Sequence, residues 1–202
     1  MLSIQEAEKL VGELESKNLN TRSRAIEVLS SLEKMEIIDF LISLLMKNSH
    51  RLVKEGVCKS LGKIGHRKAT DVLIETLNDE NESVRYQAVI ALGQLGDSHA
   101  VPPLLELLKR QDDPLVRSEA AKALGLIGDP SALKILLNIL KKEDDRFIKY
   151  HTVTSLGKIG DKKAIRDLQK IVKKKKDHRL VLRSMEAIEA IQKANSKKVV
   201  AG

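Results

Sequence analysis

The chain has 202 residues, of which 42% are hydrophobic and 32% are charged. This composition is typical of a folded protein and excludes an intrinsically disordered one. The sequence holds two Phe, two Tyr and no Trp, so Leu, Ile, Val and Ala must form the core, which favours an all-α fold.

Cys58 is the only cysteine, which excludes an internal disulfide and a zinc site built from several cysteines. A lone thiol favours a reducing compartment, and we expect the cytoplasm. The helical pattern places Cys58 on a packing face, so we expect a buried structural thiol rather than a nucleophile. The sequence has no secretory signal and no apolar run of about 18 residues, so we expect no membrane association.

The net charge of +8 is unevenly distributed along the chain. Residues 1–101 carry 13 Lys and Arg against 15 Asp and Glu, whereas residues 102–202 carry 23 against 13, which gives net charges of −2 and +10. This asymmetry predicts an acidic partner that binds towards the C-terminal end. General Lys enrichment of the thermophile type is the alternative.

The first predicted element is an amphipathic helix over residues 3–16, which begins with a capping box formed by Ser3 and Glu6. Its apolar face consists of Ile4, Ala7, Leu10, Val11 and Leu14. We expect residues 1–19 to cap the N-terminal end of the core.

A repeated unit follows over residues 20–177. The segment LeuGlyLysIleGly at 61–65 returns in similar form at 92–96, 124–128 and 156–160, so its glycines recur every 31, 32 and 32 residues. A recurring unit of this length stacks on copies of itself, because one copy cannot cover its own apolar face. Five repeats are predicted, and they begin near Asn20, Leu52, Glu82, Pro114 and Arg146.

The fourth repeat gives the clearest helix boundaries. Asp113 and Pro114 are typical of the start of a helix, here called helix A, and Gly128 suits the left-handed residue that ends it. Asp129 and Pro130 then start a second helix, helix B. Inside helix A, a glycine costs about 1 kcal/mol relative to alanine, so the four glycines that recur there indicate close helix packing; they are Gly62, Gly93, Gly125 and Gly157.

At the C-terminal end Glu189 stands where the repeats have glycine. We expect residues 178–194 to form a capping helix and residues 195–202 to fray. The whole prediction is one domain, residues 1–202, with about 12 antiparallel helices in an α-α superhelix.

Residues 84–97 and 116–129 share a pattern: ValArg, then AlaVal or AlaAla, then AlaLeuGly and GlyAsp. This pattern resembles the short HEAT-like repeats first associated with phycobilisome lyases. The resemblance covers about residues 20–194 and implies a HEAT-like solenoid. It also implies a bilin lyase or chromophore chaperone as a possible activity, for which the sequence offers no distinctive pocket or acid group.

Several polar residues recur at fixed repeat positions, which favours structural roles. We expect the cations of helix A to pair with acids of neighbouring repeats or with helix carboxyl ends; they are Arg22, Lys54, Arg85, Arg117 and Lys149. Asp97, Asp129 and Asp161 are interpreted as caps of helix B. The five histidines lack the spacing of metal ligands, so we expect no metal, no cofactor and no enzyme activity.

Phe147, Tyr150 and His151 lie at helical spacing on helix A of the fifth repeat. In a chain with so few aromatic residues they are a candidate contact patch. Packing between repeats is the alternative, and we favour it.

The residues selected for partner binding form a basic surface on helix B of the fourth and fifth repeats, which we expect to line the concave face. Lys162, Arg166 and Lys170 follow one another at intervals of one helical turn. The full set, called the basic surface below, is Lys134, Lys162, Lys163, Arg166, Lys170, Lys173 and Lys174. It predicts a scaffold or adaptor that binds an acidic or amphipathic segment of another protein; an electrostatic nucleic-acid binder is the alternative, disfavoured because the surface lacks aromatic and base-contacting side chains.

Overall fold

The structure is a computed structural model that describes residues 4–32, 35–47, 50–110 and 112–200, with side chains up to residue 196. The chain divides into two compact halves, Met1–Asp97 and Ser98–Gly202, which are described separately. That residues 1–202 form one domain stays a prediction. Ser3, part of the predicted capping box, lies outside the described residues.

In its described ranges, the N-terminal half consists of helices joined by short loops. Helix α1 packs against α2 and buries Ala7, Leu10 and Leu14, as its apolar pattern predicts. Helices α2 and α4 are helix A of the first two repeats, and α3 and α5 are the matching B helices. The bounds are α1 Ile4–Glu13, α2 Leu19–Ser30, α3 Met35–Met46, α4 Arg51–Ile64, α5 Thr70–Thr76 and α6 Glu82–Leu95.

The C-terminal half continues the alternation of A and B helices. Helices α8, α10 and α12 pack side by side, and α7, α9 and α11 are the B helices. The bounds are α7 Val101–Lys109, α8 Pro114–Ile127, α9 Leu133–Lys142, α10 Arg146–Ile159, α11 Ile165–Lys174 and α12 His178–Val200. Every predicted repeat start lies within one residue of a helix start, so the predicted all-α repeat of helix pairs is confirmed.

Glycine ends helix A in four repeats. Gly65, Gly96, Gly128 and Gly160 all have a positive φ, between 65° and 75°, in the left-handed region that only glycine adopts at no steric cost. Each donates its N–H back to the fourth residue before it. Helices α4, α6, α8 and α10 are therefore all 14 residues long.

Three of the four recurring glycines inside helix A lie in close contact with the backbone of a neighbouring helix. A Cβ on Gly125 would lie 2.7 Å from the Ser155 Cα, and one on Gly62 would lie 2.8 Å from the Ala91 Cα. A Cβ on Gly157 would lie 3.0 Å from the Ala187 Cα. These distances leave no room for a side chain, so the predicted packing role is confirmed at these three glycines.

The last helix is longer than predicted. Residues 195–200 belong to α12, and that residues 195–202 fray stays a prediction. Gln192 occupies the position that the left-handed glycine holds in the preceding repeats, so nothing stops the helix after 14 residues. Asn195 also donates through Nδ2 to the Gly160 carbonyl oxygen at 2.9 Å, which holds this part of α12 against the end of α10.

In the part of the chain that the structure describes, no helix combines the length and the apolar character required to cross a membrane.

Candidate functional site

Helix B begins in several repeats with a capped 3-10 turn. The Asp129 carboxylate accepts the N–H of Ser131 at 2.8 Å, and Asp161 accepts that of Lys163 at 2.8 Å. These contacts confirm both residues as caps. In the second repeat His66 takes the same position and accepts the N–H of Lys68 at 3.2 Å. Asp97 is buried and accepts a hydrogen bond from Thr70 Oγ1 at 2.9 Å.

The first two residues of the predicted basic surface on the fifth repeat lie in a capped turn before helix α11. Lys162 and Lys163 lie in the 3-10 turn Lys162–Ala164, and α11 starts only at Ile165. The prediction of one stripe along a single helix is therefore wrong at its first residue. Lys134 lies on α9, and Arg166, Lys170, Lys173 and Lys174 lie on α11.

All seven side chains of the basic surface are exposed. Lys170 pairs with Asp167 at 2.8 Å. Among the described residues, the side chains of the other six make no hydrogen bond or ion pair; they are Lys134, Lys162, Lys163, Arg166, Lys173 and Lys174. Their charges are thus available to a partner. Whether they face a concave groove stays a prediction.

The structure places Lys170 and Lys174 apart from Lys173. Lys170 and Lys174, one turn apart, line a cavity of about 540 Å³ beside α9, α10 and α12. Lys173 lies on the other side of α11, against α12, in a groove that Met185 and Glu189 also line. We call the cavity lined by Lys170 and Lys174 the basic cavity. Its other charged lining residues are Lys141, Arg146, Lys149, Lys176, Asp167 and Asp177.

The helix A cations are structural in four repeats out of five. Arg22 donates to the Ser16 carbonyl oxygen at 2.6 Å, and Arg85 to the Asp79 carbonyl oxygen at 2.9 Å. Lys54 pairs with the Asp79 carboxylate at 2.7 Å.

Arg117 makes the most complete set of contacts among these cations. It donates to the Leu108 carbonyl oxygen at 3.1 Å, at the carboxyl end of α7, and pairs with Glu143. Burial alone would raise the pKa of Glu143, but the N–H of Asp145 and the Arg117 guanidinium outweigh it and lower that pKa.

The expected contact of a helix A cation with a helix carboxyl end is therefore confirmed for Arg117. Lys54 and Arg117 pair with acids, but these acids belong to their own repeats. Arg22 and Arg85 donate to carbonyl oxygens of the loops that follow helices. The prediction is wrong for Lys149, which has no such partner among the described residues.

The aromatic cluster divides between packing and exposure. The Arg183 guanidinium of α12 lies 4.5 Å from the Tyr150 ring centroid and also donates to its hydroxyl. The Tyr150 and His151 rings meet edge to face at 5.6 Å. Burial lowers the pKa of His151, which favours the neutral imidazole at pH 7. Tyr150 and His151 therefore pack between repeats, whereas Phe147 is 69% exposed.

Cys58 is fully buried, and burial raises the pKa of its thiol, so the expected structural thiol is confirmed. Within the described ranges, no three His, Cys, Asp or Glu side chains come together as metal ligands. That the protein needs no metal, cofactor or catalytic residue stays a prediction.

Comparison with known sequences identifies the repeat. The sequence profile of HEAT repeats matches residues 7–83 and 70–152. No protein with a curated description matches the chain.

Solved structures of the same architecture are similar over nearly the whole chain. An engineered protein is 21% identical, with 93% of this chain and 97% of that chain covered and a TM-score of 0.59. A designed armadillo repeat protein in complex with the peptide (KR)4 is 19% identical, with 92% and 99% covered and a TM-score of 0.59. The complex of CpcE and CpcF of phycocyanin lyase from Nostoc sp. is 19% identical, with 95% of each chain covered and a TM-score of 0.45. For the engineered protein and the designed armadillo repeat protein, the similarity at these identities concerns the fold alone.

Proposed function

We propose that this chain, which belongs to the HEAT-repeat family, is a non-catalytic scaffold that binds an acidic or amphipathic segment of a partner protein. The supporting observation is the basic surface, in which six of seven exposed cations have no partner among the described residues. Unpaired exposed cations attract an anionic ligand, because binding brings opposite charges together without first breaking internal ion pairs.

A protein ligand is favoured over a nucleic acid. Helices α9 and α11 and the turn Lys162–Ala164, which carry the basic surface, contain no aromatic residue, whereas single-stranded nucleic acids are generally bound by stacking their bases on aromatic rings. The single cysteine, Cys58, is consistent with a reducing compartment, and we propose a cytoplasmic location. A lyase or chromophore-chaperone role has only the family resemblance behind it.

Fluorescence anisotropy with two probes tests the proposal. The first is a short fluorescein-labelled peptide in which Glu and Leu alternate, and the second is a polythymidine oligonucleotide of the same net charge. We expect the peptide to bind more tightly at equal salt. Tighter oligonucleotide binding with a steep log–log salt dependence would instead establish the nucleic-acid alternative.

A charge-reversal variant locates the surface. Lys134→Glu, Lys162→Glu and Arg166→Glu together remove three cations that lie outside the basic cavity. The matched control, Lys9→Glu, Lys158→Glu and Lys193→Glu, makes the same charge change at exposed positions elsewhere. We expect the first triple variant to weaken peptide binding by more than tenfold and the control by less than threefold. Equal losses in both would show that net charge alone attracts the peptide.

A further inference from the structure

Two repeats carry an acid that neutralises the helix A cation. In the second repeat Asp79, three residues before α6 begins at Glu82, pairs with Lys54 at 2.7 Å. In the fourth repeat Glu143, three residues before α10 begins at Arg146, pairs with Arg117. The chain thus supplies the carboxylate from the loop that precedes the next helix A.

The fifth repeat lacks this acid. The first and third repeats also lack it, with Asn48 and Gln111 at the equivalent positions, but there Arg22 and Arg85 donate to carbonyl oxygens. Three residues before α12 begins at His178, the chain has Lys175. The cation that an acid here would neutralise is Lys149, which is half-buried and makes no hydrogen bond or ion pair within the described ranges. Its Nζ is not among the buried polar atoms without a partner, so the ammonium group is accessible to an anion from outside the chain.

The basic cavity around Lys149 has a large excess of positive charge. It is lined by six cations and two carboxylates. Asp167 is already shared by Lys141 at 3.1 Å and Lys170 at 2.8 Å. Asp177 pairs with Arg146 at 3.5 Å and accepts the N–H of Leu180 at 3.1 Å. Lys149, Lys174 and Lys176 therefore remain without an acid.

The lining also has an apolar part. Leu140, Ile171 and Leu180 contribute to the same cavity. A glutamate side chain matches this combination, since its two methylene groups pack on apolar surface while its carboxylate contacts the ammonium groups.

We propose that the basic cavity binds an acidic side chain of the partner segment, whose carboxylate takes the position that Asp79 and Glu143 occupy in the other repeats. This inference rests on the proposed function and names its docking position. A groove of about 530 Å³ adjoins the cavity and shares Arg146, Asp177 and Leu180 with it. The groove also contains exposed Phe147, so an apolar residue next to the acidic one has a surface to contact.

Removal of the unpaired cation tests the assignment. Lys149→Gln keeps the length of the side chain close to native, and Lys158→Gln on the same helix removes an exposed cation outside the cavity. With the Glu–Leu peptide as the probe, we expect Lys149→Gln to weaken binding about tenfold, the size of one charge-assisted contact. Lys158→Gln should change it by less than twofold. Equal affinities of the two variants would overturn the assignment.

Further measurements separate this inference from the proposed function. Because Lys149 is half-buried, Lys176→Gln in the exposed loop before α12 is a second cavity variant, and it must weaken peptide binding as well. If the peptide binds and is lost only in the Lys134, Lys162 and Arg166 triple variant, the proposed function holds and the cavity assignment is wrong. If the wild-type protein does not bind the peptide, both are wrong. If inorganic phosphate, which carries no more charge than glutarate at pH 7, displaces the peptide at lower concentration than glutarate does, the cavity is a phosphate site and the assignment is also wrong.

Discussion

Replacement of Arg117 by Gln should destabilise the protein, whereas the same change at the equivalent Lys149 should not. Arg117 donates to the Leu108 carbonyl oxygen and pairs with Glu143, and the two charged side chains are only 19% and 12% exposed. A hydrogen bond to a charged group contributes about 1.5–3 kcal/mol. Glu143 would keep the N–H groups of Asp144 and Asp145. We therefore expect a loss of about 2 kcal/mol for Arg117→Gln.

Lys149→Gln removes a cation that has no partner to lose. The change also relieves repulsion from the neighbouring lysines of the basic cavity, so we expect its free energy of unfolding to stay within about 0.5 kcal/mol of wild type, or to rise. Urea denaturation followed by circular dichroism measures both variants. If Lys149→Gln lowered the free energy of unfolding as much as Arg117→Gln does, this would contradict the statement that Arg117 is paired and Lys149 is not.

The contribution of the Arg117 pair should depend on pH. The pKa of Glu143 is lowered from its ordinary value of 4.5, so the folded protein binds this proton more weakly than the unfolded chain does. The stabilisation is therefore fully present above pH 4.5 and is lost as the pH falls through the lower folded-state pKa. We expect the stability difference between wild type and Arg117→Gln to be constant above about pH 5 and to shrink below pH 4. A difference that grows on acidification would refute the reasoning.

Two further predictions concern the backbone. Gly125→Ala should lower the free energy of unfolding by about 1–3 kcal/mol, because its Cβ would lie 2.7 Å from the Ser155 Cα. Gly12→Ala, whose Cβ would meet nothing within 4 Å, should raise it by about 0.5–1 kcal/mol. Thermal unfolding of the two variants measures both changes, and a stabilising Gly125→Ala would contradict the close contact. Lys175 has φ 49°, so Lys175→Gly should stabilise by about 1 kcal/mol relative to Lys176→Gly in urea denaturation, and equal stabilities would argue against the left-handed conformation.

The fold was predictable because the decisive signals are local. Asp113 caps the start of α8 through its side chain, Pro114 is the first residue of α8, and Gly128 ends it in the left-handed conformation, as the sequence predicts. The extension of α12 was missed, although Gln192 in place of glycine already indicated that the helix continues. The contact of Asn195 with Gly160 could not be predicted, since it depends on how two helices pack.

The basic cavity was predictable only in part. The sequence selected Lys170 and Lys174 by their charge and spacing, but it grouped them with Lys173, which lies on another side of α11.

Lys149 was predicted to be a paired structural cation because it shares a repeat position with Lys54 and Arg117, but the presence of an acid to pair with it was not checked. The structure shows that Asp79 and Glu143, each three residues before the next helix A, contact the helix A cations. With that knowledge, Lys175 at the equivalent position of the sequence indicates that the fifth repeat lacks the acid. The stacking of Arg183 on Tyr150 depends on the packing of α12 against α10 and leaves no local signal.

The contact between a glycine and a small residue on consecutive A helices permits growth of the chain only in complete modules. A copy of residues 114–145 inserted before Arg146 would again present a glycine at the position of Gly125, ready to accept the next helix. An insertion of a single amino acid into α10 before Ser155 would turn a larger side chain towards Gly125 and shift every later interface. Lineages and protein engineers can therefore lengthen this protein by duplication far more easily than by small insertions within its helices.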